Sequence, residues 1–127
     1  MQDLTALVEA APPALAACAL EPAPAGRFDA ALEPNRRFVL EAVYEGYLMH
    51  YGESRAFAVE DRDLCLLGGD ALYALGLSRL AEAGDLEAVA ALSALISASA
   101  RAHAEGRGAE VDALWSAAAT ALSEPPR

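Results

Sequence analysis

Apolar residues recur along this chain at helical spacing. Between 34 and 51, Phe38, Val39, Ala42, Val43, Gly46, Tyr47 and Met49 fall mostly three or four apart, the period of one helix face. This predicts a helix with those residues against the core. Pro34 suits its first turn and Gly52 its end. The next stretch, capped by Asp61 or Asp63 and running to 83 with Gly84 as its stop, is apolar almost all round. Leu64, Leu67, Ala71, Leu75 and Leu80 compete there with Leu66, Tyr73 and Leu77 for burial. Such a helix is expected at the centre, wrapped by the others. A helix capped by Asp85 then reaches about 105, and after Gly106-Arg107-Gly108 a last one covers about 109–123 with Trp115. At the front, 3–20 reads as a helix with Asp3 as N-cap, which Pro12-Pro13 should break or kink near Ala11. The predicted architecture is an all-α, single-domain bundle of about five helices. An N-terminal helix and Pro-rich linker occupy 1–26, the bundle core 27–123 and a tail 124–127.

Composition narrows the class. The chain has 127 residues, enough to bury a core without disulfides. Hydrophobic residues make up 55% and aromatics only 6%, a balance that favours helices over a β-sandwich. The net charge is −10, and every basic residue is an arginine. An acidic chain without a basic stripe is a poor partner for nucleic acid or anionic lipid. The longest uncharged apolar run, 88–100, is too short to span a bilayer at about 20 residues. No basic region precedes the first apolar stretch, as a secretory signal would require. A cytoplasmic protein is expected. Cys18 and Cys65 have no neighbour at metal or redox spacing and read as buried thiols.

Candidate chemistry is sparse. His50 and His103 are predicted on different helices without a second histidine at i+3 or i+4, so neither starts a zinc site. His103, near a helix end, suits the negative pole of the dipole. Ser93, Ser97 and Ser99 read as small packing residues. Glu60-Asp61-Arg62-Asp63 reads as capping. Glu41 and Glu45 are spaced to share one helix face, either as a solvated acidic surface or as oxygen ligands for Mg²⁺. Tyr44, Tyr47, His50 and Tyr51 form an aromatic cluster that serves either a core or a small-molecule pocket. Gly69 and Gly76, seven apart, share a face with Tyr73, and another backbone should lie against it. Asp70, inside this apolar run, calls for a partner such as Arg36, Arg37 or Arg55.

The run Leu66-Leu67-Gly68-Gly69-Asp70-Ala71-Leu72-Tyr73-Ala74-Leu75-Gly76-Leu77, followed by Leu80-Ala81-Glu82, resembles the Gly-Asp helix of trans-isoprenyl diphosphate synthases. That resemblance implies an all-α terpenoid-synthase-like bundle and prenyl transfer with Mg²⁺ held by two aspartate-rich motifs. The place of the first motif falls on Glu41-Ala42-Val43-Tyr44-Glu45, which keeps the outer acids and loses the inner one. The arginines that grip diphosphate are replaced by His50 and Tyr51, and no second motif follows. The expectation is therefore a non-catalytic relative acting by association, as a homodimer or beside a prenyl-synthase-like subunit, with Gly69, Tyr73 and Gly76 as the contact face and no cofactor. Two alternatives stand beside it. One is Mg²⁺-dependent binding or transfer of isoprenoid diphosphates through Glu41, Glu45 and Asp70. The other is a small-molecule-binding bundle.

Overall fold

The computed structural model describes residues 3–124. It contains α1 (Thr5–Ala10), α2 (Pro13–Ala16), α3 (Pro34–Tyr51), α4 (Arg62–Glu82), α5 (Leu86–Ala104) and α6 (Val111–Leu122), with a 3-10 turn at Gly108–Glu110 before α6. The architecture is all-α. No strand is present among the described residues, only isolated bridges joining Asp3 to Ala25 and Ala19 to Phe57.

The expected long N-terminal helix is two short ones. Pro12 and Pro13 cannot continue the hydrogen-bond ladder, and Ala11 leaves α1 in an extended conformation. Asp3, the expected cap, lies one residue outside the observed cap Leu4 and accepts from the Thr5 amide at 3.1 Å. Local signals set the later boundaries. Glu33 accepts from the amides of Asn35 and Arg36, Asp61 caps α4 and Asp85 caps α5. Gly84 supplies the positive φ of 73° that turns the chain out of α4. The tail assigned to 124–127 lies outside the described residues except for Glu124.

The centre of the molecule is α3, not α4. Helix α3 buries residues around much of its circumference, including Arg36, Leu40, Ala42, Val43, Glu45 and Met49, whereas α4 buries a stripe of Gly68, Gly69, Leu72, Gly76 and Leu80. The reason is volume. The outer positions of α4 are mostly Leu and Ala, but its inner stripe is rich in glycine, so α3 settles against it at backbone distance. A Cβ on Gly46 would lie 2.7 Å from the Gly69 carbonyl oxygen, and one on Gly69 would lie 2.9 Å from that of Gly46. Two apolar cores flank α3. One gathers Phe28, Leu32, Val39, Val43, Leu92, Leu95 and Trp115; the other gathers Leu4, Leu7, Leu15, Met49, Phe57 and Leu72. The 1–26 segment therefore packs as part of the bundle.

Arg36 holds α3, α5 and α6 together. Its Nε and Nη2 donate to Asp85 Oδ2 and Oδ1 at 2.7 and 2.9 Å, and Nη1 donates to the carbonyls of Leu122 and Glu124. A buried cation so completely bonded is stable where a bare one would not be. The hydrogen bond from Arg36 keeps the Asp85 carboxyl below its usual range.

Candidate functional site

Glu41 and Glu45 are spaced i, i+4 on α3, so they do share a face, but that face is buried: the residues are 4% and 0% exposed. The expected solvated acidic surface is absent. The connection after Gly52 folds back along α3 and brings Arg55 between the two carboxylates. Arg55 Nη1 donates to Glu41 Oε1 at 2.9 Å, and its Nε to Glu45 Oε1 at 2.8 Å. Glu41 Oε2 accepts from the Phe28 amide at 3.0 Å. Glu45 Oε2 accepts from the amides of Arg55 and Ala56, each at 3.0 Å, and from the Ser54 hydroxyl. All four carboxylate oxygens are engaged. A divalent cation here would have to displace a guanidinium already in the position it would take, so this pair does not fit a Mg²⁺ site. Among the described residues, no cluster of three or more His, Cys, Asp or Glu side chains could hold a metal.

Asp70 is not inside the bundle. Its side chain is 66% exposed, and its Oδ1 meets His50 Nε2 at 2.9 Å rather than an arginine. His50 also stacks on Tyr73, with ring centroids 5.3 Å apart. Burial pushes the Tyr73 hydroxyl well above its usual value. The Gly69–Gly76 face meets α3 of the same chain, since a Cβ on Gly76 would lie 2.6 Å from Val43 Cγ2. The backbone expected against these glycines is thus intramolecular, and the face offers no docking surface to a second protein.

The aromatic cluster divides. His50 turns to α4, whereas Tyr44 and Tyr47 turn to α6. Tyr44 and Tyr47 stack with centroids 6.0 Å apart, and the Trp115 ring meets Tyr44 at 5.0 Å, edge to face, and Tyr47 at 5.8 Å. Between them lies a cavity of about 280 Å³, bounded by Arg27, Tyr44, Tyr47, Leu48, Gly52, Gly108, Ala109, Val111, Asp112 and Trp115. Arg27 lies 4.7 Å from the Tyr44 ring centroid and pairs with Asp112 at 2.9 Å. The Tyr47 hydroxyl and His103 Nε2 share a hydrogen bond of 2.7 Å, and Tyr51, exposed beyond them, stacks on His103 at 4.3 Å. Burial raises the Tyr47 hydroxyl above its ordinary value. Trp115 is fully buried, yet its indole N–H has no hydrogen-bond partner among the described residues.

Sequence reasoning reached Tyr44 and Tyr47 but missed Trp115, Arg27 and His103 as their neighbours. Trp115 is the single tryptophan of the chain and falls on the apolar side of an amphipathic helix, which was the available signal. Comparison with family models, curated proteins and solved structures returns no match to this chain.

Proposed function

We propose that this chain is a non-catalytic helical protein that binds a small molecule in the cavity between α3 and α6. The observation that carries the reading is the cavity itself, about 280 Å³ with the rings of Tyr44 and Tyr47 in its lining. Aromatic walls with few polar groups suit such a site. The reading is non-catalytic because the lining has no serine, cysteine or histidine, and because both carboxylates of the α3 pair are tied to Arg55. The same facts weigh against a diphosphate substrate, which requires metal and several cations at its leaving group. Under this reading the isoprenyl-synthase-like helix marks ancestry. The test is a ligand-observed NMR screen of ring compounds against the native chain and against Leu48→Phe, which fills the cavity. Binders lost in the variant support the reading, and an absence of binders to the native chain removes it.

One observation favours association as a second reading. Helix α4 is long and apolar enough to cross a membrane, yet only 28% of its most apolar stretch is buried. Its exposed face carries Leu67, Asp70, Ala74, Ser78 and Ala81. On a chain of charge −10, this strip carries one charged residue, Asp70, which is already in contact with His50, and its remaining positions are apolar or neutral for a second copy to cover. Light scattering across micromolar concentrations should then show a dimer that Ala74→Glu dissociates. A monomer at every concentration would end this reading.

A further inference from the structure

We infer that the groove between the N-terminal segment and the connection after α3 docks a short basic segment of a partner protein, with apolar side chains such as leucine or phenylalanine flanked by lysine or arginine.

The groove begins as backbone. Leu20 donates its amide to the Ala56 carbonyl at 2.8 Å, and Ala58 donates its own to the Cys18 carbonyl at 2.9 Å. That pairing lays two stretches of chain side by side and holds Leu20 in place, yet leaves the residue 43% exposed. An exposed leucine is ordinary when it stands alone. This one lines two hollows at once. One, of about 520 Å³, also has Met49, Phe57 and Val59 in its lining. The other, of about 400 Å³, has Val8, Ala19 and Pro22. Each falls within the range of ligand cavities, roughly 300–1,000 Å³. The larger shares only Gly52 with the lining of the α3–α6 cavity, and the smaller shares nothing with it. The groove is therefore a separate surface.

Charge selects the occupant. Glu53 and Glu60 belong to the larger hollow, Glu9 and Glu21 to the smaller. All four are exposed, and none forms an ion pair among the described residues. Arg62 is the one cation in either lining. A second copy of this chain, with its charge of −10, would bring like charge to these acids. Anionic lipid and nucleic acid are repelled for the same reason. A small amine occupies one hollow and meets one pair of acids. A peptide segment crosses Leu20, places apolar side chains in both hollows and sets cations against both pairs.

The native chain is titrated with the blocked peptide Lys-Leu-Lys-Phe-Lys while its backbone amide resonances are followed. Three controls accompany it: the peptide with Glu for each Lys, the peptide with Ser for Leu and Phe, and hexylamine. The basic peptide should shift the amides of Ala19, Leu20, Ala58 and Val59 saturably. Salt near about 0.15 M should weaken it, since exposed charges are then screened beyond about 8 Å. The double variant Glu53→Gln, Glu60→Gln alters only exposed side chains and should weaken binding by about fivefold, the worth of two exposed charge contacts. Leu20→Ala should weaken it by about the same factor through lost apolar contact. No saturable shift, or shifts centred elsewhere, removes the groove. Equal binding of the Glu peptide, or undiminished binding in the double variant, overturns the charge argument. Equal binding of the Ser peptide, or undiminished binding in Leu20→Ala, overturns the apolar one. Hexylamine that moves the same amides as tightly as the peptide assigns the surface to a small amine, and the partner-protein inference falls.

Discussion

Two polar clusters lie on α3 within three residues of each other and have opposite characters. Around Glu41 and Glu45 every carboxylate oxygen is bonded and the space between is filled by Arg55. Around Tyr44 and Tyr47 there is a cavity, an orphan indole N–H and an ion pair at the rim whose acid is 79% exposed. Charge alone does not mark a site. The cluster built on buried carboxylates is closed and structural, while the aromatic one retains an unpaired donor. Tyr44 joins the two, with Arg27 at 4.7 Å and Arg55 at 4.9 Å from its ring centroid.

The sharpest way to break this contrast is to open the closed cluster. Arg55→Ala leaves two buried carboxylates without their cation and should cost about 3–5 kcal/mol, read as a lowered urea midpoint. A loss under 1 kcal/mol would mean the acids are not held as described. Glu45→Gln keeps the shape but weakens the bonds from Arg55, Ser54 and two amides, and about 1–3 kcal/mol should go. In the open cluster the effects should be small. Trp115→Phe removes the unpaired N–H, which offsets part of the packing lost with the smaller ring, so its net cost should stay near about 1 kcal/mol, and thermal melting will show this. Arg27→Ala removes a rim ion pair worth no more than about 1 kcal/mol, and the melting temperature should barely move. A large loss there would make Arg27 part of the core.

Acid provides an independent control away from both clusters. The Arg36 hydrogen bond lowers the Asp85 carboxyl in the folded state, so the folded chain binds fewer protons there than the unfolded chain. That contribution is complete above the unfolded value, near about 4, and is lost as pH falls through the depressed one. Urea midpoints should hold between pH 7 and 5 and fall below 4. In Asp85→Asn that share of the acid loss should vanish.

The helices of the bundle were legible because their signals are local. Pro34, Asp61, Asp85 and Gly84 mark ends, and α3 matches its predicted span of 34–51. The break at Pro12-Pro13 was visible too, though not that two short helices would result. What failed was rank. A run of Leu and Gly in α4 reads as the most buried helix, yet its glycines bring α3 close and leave Leu67 67% exposed. The two glutamates were legible as a pair, but not their burial, because most of their partners are backbone amides and an arginine beyond a turn. Half of the aromatic site was legible as Tyr44 and Tyr47 of the aromatic cluster that also holds His50 and Tyr51. The rest required Arg27 and Trp115, which lie 88 positions apart in sequence and meet only through packing.

The arginine at the centre of the bundle also sets a timetable. Arg36 is made early, but two of its acceptors are the carbonyls of Leu122 and Glu124. Those carbonyls lie 86 and 88 positions downstream of it, so they are made long after it. Until both are made, burying Arg36 leaves a donor unmet, so closure of the bundle around it waits on α6.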